Sequence, residues 1–281
     1  MNTKKMRYVW FLVILCIFCL TLFLARTRSK VEMRNRIYHQ WNEHFVVSKG
    51  KESYVRTTND RNQTVVLSEA QSYGMLITVA AAEKGQAQQA DFDRLYQYYL
   101  NHRLEGTQLM SWKQTIANEE ASVEGHNATD GDLYIAYALL KAAQQWPKQA
   151  KDYQAQAKAI LEDVLTYNYN EENGVLTVGN WANQDSEFYH LMRTSDTLPA
   201  QFQIFYEVTK DSKWLAIKEK MLQQLQTISS QTKTGLLPDF IWVDEQGTRV
   251  ADPKTIESKY DGAYSYNACR LPYNLVQSKD K

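Results

Sequence analysis

The stretch LSEAQSYGMLITVAAAEKG, Leu67 to Gly85, sets a carboxylate, Glu69, at the head of an apolar run with helical spacing. Ser68 and Gln71 have the S-x-x-Q spacing of a capping box, which predicts Glu69 at the first helical position. There a carboxylate faces unpaired backbone N–H groups and the positive end of the helix dipole, so the plainer reading is a dipole partner with a depressed pKa. A general acid needs the reverse, a carboxyl that keeps its proton near neutral pH through burial or a second carboxylate close by.

A second segment, NATDGDLYIAYALLKAAQQW from Asn127 to Trp146, repeats the arrangement. Thr129 is placed to cap a helix whose first turn carries Asp130 and Asp132, with Ile135, Ala138, Leu139 and Ala142 on its apolar face. Gly131 permits a tight backbone, from which Asp130 can point off the helix end into a cleft. Aromatic residues make up 12% of the chain, with Tyr 18 and Trp 7, and aromatic faces match the apolar C–H faces of sugar rings as well as filling cores. Two acidic helix starts in such a chain suit the carboxylate pair that glycoside hydrolysis requires. A metal site built from His126, Asp130 and Asp132 is the weaker alternative, because Asp-Gly-Asp lacks the remaining positions of a calcium loop.

These residues need helices to position them, and the pattern after the N-terminus is mostly of period 3.6. Helices are expected over residues 34–45, 69–84, 91–103, 130–146, 151–167, 200–209 and 212–229. Loops rich in Gly, Asn and Asp, such as EGHNATDGD and NEENGVLTVGNW, leave room for short strands. Strands and helices do not alternate as a parallel α/β fold would require, so the expectation is a mostly helical domain from residue 31 onward, with functional loops at one set of helix ends. The 281 residues suffice for one large core, and Lys+Arg 32 against Asp+Glu 32 gives no sign of a nucleic-acid partner.

Residues 1–30 read differently. Lys4, Lys5 and Arg7 precede the uncharged run YVWFLVILCIFCLTLFLA, Tyr8 to Ala25, which Arg26 and Arg28 close. That run falls within the roughly 17 to 25 residues that cross a bilayer and exceeds the core of a cleavable signal, so an uncleaved single-pass anchor with the domain outside the cell is expected. Arg26, Arg28, Lys30, Arg34 and Arg36 on its far side weaken the positive-inside argument for that orientation. Cys16 and Cys19 lie inside the run and Cys269 stands alone far downstream, which is neither a disulfide framework nor metal spacing; a buried thiol is expected at Cys269.

Four blocks in order carry a family resemblance. The run A-T-D-G-D-x-x-I-A-x-A-L-L-x-A-x-x-x-W, Ala128 to Trp146, resembles the signature of glycoside hydrolase family 8. SEAQSYGM from Ser68 to Met75 is similar to the segment around that family's proton donor, and Ser111-Trp112-Lys113 to its substrate-stacking strip. YSYNACRLP, Tyr264 to Pro272, is similar to a late block. The resemblance implies an all-α fold, an (α/α)6 barrel, and inverting cleavage of internal β-linkages in a β-glucan, chitosan or exopolysaccharide, with no cofactor or metal. By position, Glu69 would be the general acid and Asp130 would bind and distort the sugar. Tyr73, Trp112, Trp181 and Tyr266 would stack on rings, and Arg270 would hydrogen bond to sugar or to a catalytic carboxylate.

Two departures follow. The base of many members stands where this chain has Asn267, and an amide cannot activate water. Some branches share the asparagine and draw the base from a preceding loop, here VDEQGTRVADPKTIESKYDGAYSYN, which offers Glu257 and Asp261; Asp239 is a further candidate. Glu257 is preferred, then Asp239. The chain also ends soon after Asn274, so the closing helices of the barrel are expected to be missing. A catalytically impaired relative, carbohydrate-binding or associated with an exopolysaccharide synthesis system, is the competing expectation.

Overall fold

The computed structural model describes residues 3–278 except 59, 61, 118 and 119. The chain divides into two compact units, Met1–Val46 and Val47–Lys281. The first is a single helix, α1 (Thr3–Phe45), with an 18-residue window of mean hydropathy 2.7, long and apolar enough to cross a membrane. The expected boundary at residue 30 falls inside this helix, because no Gly or Pro interrupts the chain between Arg26 and Phe45.

The elements that follow are β1 (Val46–Lys49), β2 (Glu52–Val55), β3 (Thr64–Leu67), α2 (Ser68–Ala82), α3 (Gln89–Asn101), β4 (Lys113–Ala117), β5 (Glu120–Val123), α4 (Thr129–Gln145), α5 (Ala150–Tyr167), β6 (Leu191–Arg193), α6 (Pro199–Thr209), α7 (Lys213–Gln231), β7 (Phe240–Asp244), β8 (Gly247–Val250) and α8 (Leu271–Val276). Consecutive helices pair as hairpins, α2 with α3, α4 with α5 and α6 with α7, and α2 also packs against α4. This is the construction of an (α/α)6 barrel, in which one helix of each hairpin lines the inside. The burial shows which: α4 buries Leu133, Ile135, Ala136, Ala138, Leu139 and Ala142 completely, over most of its circumference, whereas its outer partner α5 buries one face, Tyr153, Ala157, Ile160, Leu161 and Val164. The α6–α7 hairpin is held by Phe202, Phe205 and Trp214, whose rings lie 5.1 to 6.3 Å apart.

Among the described residues the short strands form three small sheets, β1-β2 and the antiparallel β3-β4-β5 and β6-β7-β8. Each of the larger two feeds an inner helix. β3 ends at Leu67, paired with Lys113 of β4, and α2 starts at the next residue. β6 ends at Arg193, paired with Phe240 of β7, and a 3-10 turn, Thr194–Asp196, leads into α6.

The ends of α2 to α7 lie within about two residues of the positions expected from periodicity, whereas the helix expected over 34–45 is the C-terminal part of α1; the caps also differ. Leu67, not Ser68, is the N-cap of α2, and no side chain caps it. Gln71 turns inward instead: its Oε1 accepts Val55 N–H at 2.9 Å, and its Nε2 donates to the carbonyls of Ser53 at 3.0 Å and Leu95 at 2.9 Å, tying α2 to β2 and α3. Thr129 likewise is the first residue of α4 rather than its cap, and its hydroxyl donates to the Thr177 carbonyl at 2.6 Å. Cys269 is exposed, contrary to the buried thiol expected from its isolation.

Candidate active site

The functional candidates gather where the N-terminal ends of α2, α4, α6 and α8 meet. Glu69 is in the first turn of α2 and Asp130 in that of α4. Ser195 and Asp196 lie in the turn before α6, and Asn267 and Arg270 directly precede α8. The close approach of α2 and α4 depends on Gly131. A Cβ there would lie 2.1 Å from Ser68 Oγ and 2.7 Å from Ser68 Cβ, so a side chain would push the two helix starts apart, and Glu69 and Asp130 with them.

Two guanidiniums organise the cluster. Arg270 Nη1 donates to Glu69 Oε1, to Asp130 Oδ2 at 3.2 Å and to Tyr73 Oη at 3.3 Å. Its Nη2 donates to Ser195 Oγ at 2.9 Å and Asn267 Oδ1 at 2.7 Å. Arg193 Nη1 lies 3.5 Å from Asp130 Oδ1 and 3.7 Å from Asp196 Oδ2, while its Nη2 donates to Glu257 Oε1 at 2.7 Å. The Phe240 ring, 5.4 Å below Arg193, backs this guanidinium.

The four carboxyls, Glu69, Asp130, Asp196 and Glu257, outnumber the two cations, and burial competes with the guanidiniums for the three that are most enclosed. Burial and the charge of Asp130 push the Glu69 carboxyl up, against the opposing pull of Arg270 and Arg193. Asp130 is also penalised by burial, but it sits between the two guanidiniums and accepts Gly131 N–H at 2.9 Å, which together hold it below the usual carboxylate range. Burial pushes Asp196 up to about 8 despite Arg193. The site therefore pairs Asp130, held below the usual carboxylate range, with a neighbouring carboxyl, Glu69, pushed above it. The dipole of α2 does not prevail at Glu69, so the depressed pKa of the plainer reading is absent.

Glu257 is placed differently. Its side chain is 41% exposed, against 7% for Asp130. Its Oε2 accepts the Asn267 amide at 2.9 Å, so Asn267 supports Glu257 while its own carbonyl oxygen accepts from Arg270. Asp239 is buried and faces backbone: its Oδ1 accepts Ser265 N–H at 3.1 Å and Ala268 N–H at 2.7 Å. Those two bonds fold the late block back so that Asn267 and Arg270 reach the cluster. Asp239 thus braces the late block through this oxygen. Asp132, close to Asp130 in sequence, is turned away, accepting Met110 N–H and the Asn127 amide, each at 2.8 Å.

Of the aromatic candidates, Trp112 is 37% exposed, and its carbonyl accepts Ser68 N–H at 3.0 Å, which fixes it beside the start of α2. Tyr73 touches Arg270 and packs 5.0 Å from the Tyr134 ring. Tyr266 is 76% exposed. Trp181 is only partly exposed; it packs edge-on to Phe188 and against the cluster of Val178, Ala182, Leu191, Phe240 and Ala251. Arg193, Ser195 and Asp196 are members of the cluster that sequence reasoning misses. The available signal is a charged pair in LMRTSDTLP, immediately ahead of a helix that opens with Pro199.

The helical hairpins, with the cluster at their starts, put the chain in the class of (α/α)6 barrels. The chain belongs to glycosyl hydrolases family 8, whose model matches residues 12–280. It is 33% identical over 244 residues to a beta-glucanase of Niallia circulans, an alignment covering 85% of this chain and 58% of the relative. It is 33% identical over 218 residues to an endoglucanase of Bacillus sp. (strain KSM-330), covering 74% of this chain and 45% of the relative. Among solved structures it is similar to the apo beta-1,3-1,4-glucanase from Paenibacillus sp. X4, with a TM-score of 0.77 and 29% identity over 88% of this chain and 66% of that one. The chain spans about half the length of the curated relatives it matches.

Proposed function

We propose that the protein hydrolyses internal β-glycosidic bonds of a polysaccharide with inversion, using Glu69 as general acid and Glu257 as general base. The observation that carries this reading is the shared guanidinium of Arg270: it bridges an anionic Asp130 and a Glu69 whose carboxyl is pushed toward its neutral form. In the reaction Glu69 gives its proton to the leaving glycosidic oxygen as the bond to the anomeric carbon breaks. Water attacks that carbon from the opposite face and gives a proton to Glu257. An inverting pair works across a gap of about 6.5 to 9.5 Å that admits this water. Asp130 binds the sugar at the cleavage point and favours its distorted form, with Arg270 donating beside it. Tyr73 and Trp112 supply ring faces nearest the cluster, and Tyr266 is an exposed outer platform; Trp181 contributes through packing.

Asn267 does not argue for an impaired relative, because its amide donates to Glu257 and so orients a carboxylate able to take the base role. The names of the relatives, beta-glucanase, endoglucanase and beta-1,3-1,4-glucanase, make β-glucan the first substrate to test. We place the catalytic unit outside the cell, held at the membrane by the apolar part of α1. That position would keep it beside polysaccharide leaving the same cell and near the system that synthesises it.

The test is reducing-end release from a panel of β-glucan, chitosan and exopolysaccharide, comparing wild type with Glu69→Gln. Release by the wild type on at least one substrate, lost in the variant with binding intact, is the expected result. Equal release by both proteins would overturn the assignment of Glu69.

A further inference from the structure

Glu257 comes from a loop, and a general base must be held to within a fraction of an ångström to direct water. What holds it is the next carboxylate along the chain. Asp261 is 1% exposed and touches neither guanidinium; both of its oxygens are turned onto the backbone that carries Glu257. Oδ2 accepts Ile256 N–H at 2.8 Å and Glu257 N–H at 3.0 Å, and Oδ1 accepts Ser258 N–H at 2.7 Å. Three successive N–H groups thus close round one carboxylate, with Glu257 at the centre of the arc.

The carboxylate is itself fixed to the sheet. Asp261's carbonyl accepts Phe240 N–H at 2.9 Å, and Phe240 is the β7 residue paired with Arg193 of β6. The next residue, Gly262, lies so close to the β8 end that a Cβ would meet the Ala251 carbonyl oxygen at 2.1 Å. One short path therefore links the Glu257 backbone, through Asp261 and Phe240, to the strand pair whose Arg193 grips the Glu257 side chain at 2.7 Å. Backbone and side chain of Glu257 are referenced to the same two strands.

We propose that Asp261 is a positioning residue for Glu257: it organises the 256–258 turn so that the carboxylate meets Arg193, Asn267 and the attacking water, and it transfers no proton itself. The inference rests on the proposed role of Glu257 as base. A merely structural residue would lower activity through lost folded protein, in any background. A positioning residue acts through Glu257 alone, and a double-mutant cycle separates the two.

The experiment measures kcat and KM on soluble mixed-linkage β-glucan for wild type, Asp261→Asn, Glu257→Gln and the double variant, all in the full chain, with thermal melts alongside. Asp261→Asn replaces one accepting oxygen by an NH2 group facing backbone N–H donors. It is expected to lower kcat about ten- to a hundredfold with KM within about twofold, and to add no further loss to Glu257→Gln. Equal losses in both backgrounds, or an unchanged kcat in Asp261→Asn, would overturn the proposal while leaving Glu257 as base. An unchanged rate in Glu257→Gln would overturn the base assignment and the positioning role with it. If Asp261→Asn melts below the assay temperature, Asp261→Ser, whose hydroxyl still accepts one N–H, enters the same cycle and is judged by the same outcomes.

Discussion

Glu69 and Glu257 are the same side chain delivered by two kinds of backbone. Glu69 stands on the first turn of a buried helix, pressed against α4 through Gly131, and its carboxyl is pushed up by burial and by Asp130. Glu257 stands on an exposed loop braced by the Asp261 carboxylate, with its side chain open to solvent. On the roles proposed for them, acid for Glu69 and base for Glu257, the contrast follows the two halves of the chemistry. An acid must keep a proton that water would take, so it is set in a desolvated place on a rigid element. A base must meet water, so it is set at the solvent edge, and its precision comes from hydrogen bonds to the loop instead of from packing.

The comparison can be broken most directly at its two ends. Glu69→Gln and Glu257→Gln are each expected to lower kcat by about 10²- to 10⁴-fold; a small azide or formate anion should restore part of the rate in Glu257→Gln, whose open site admits it, and none in Glu69→Gln. Rescue of both, or of the acid variant alone, would erase the distinction. Next in size is the residue that joins the two regions. Arg193→Met removes the cation shared by Asp130, Asp196 and Glu257, and leaving the buried Asp130 anion with Arg270 as its remaining cation is expected to destabilise the fold by about 3 kcal/mol in a urea melt. Gly131→Ala attacks the helix contact alone and should cost about 1 to 3 kcal/mol, with the loss reduced when Ser68→Gly is added to make room.

The pH dependence sharpens the Glu69 side. Its folded pKa is raised, so the fold favours the neutral carboxyl: that contribution is fully present below the unfolded value of about 4.3 and is lost as pH rises through the folded value. Glu69→Gln should therefore raise the melting temperature at pH 7 relative to wild type, with the gain shrinking toward pH 4. Asp130→Asn, which removes the neighbouring charge, should move the basic limb of any residual activity to lower pH. The smallest effect is expected at Trp112→Ala, a rise in KM of about three- to tenfold on polymeric substrate with kcat little changed, since a ring face is worth about 0.5 to 1.5 kcal/mol.

Much of the scaffold is legible in the amino-acid sequence, because a helix writes its own period into the chain; α2 to α7 lie close to where the apolar spacing puts them. What side chains do at the helix ends is less legible. Ser68 and Gln71 match a capping box in one dimension, yet Gln71 serves backbone groups of Ser53, Val55 and Leu95, partners that local spacing cannot reveal. Asp239 and Asp261 read as two more loop acids; only the fold shows each wrapped by backbone N–H groups, Asp239 by residues far along the chain. Arg193 carries only the weak local signal of a charged pair ahead of a helix, because its value lies in contacts with Asp130 and Glu257, both more than sixty positions away. Glu69 and Asp130 stand out by residue type at two helix starts, and their convergence on Arg270 is a property of the barrel.

The stereochemistry of the first product tests the central claim, an acid and a base acting on opposite faces of the sugar. Proton NMR of a β-glucan digest in its first minutes, before the anomers equilibrate, should show the α-anomer of the new reducing end appearing first. First appearance of the β-anomer would mean a covalent intermediate and a nucleophile where this account has a base, and would contradict it.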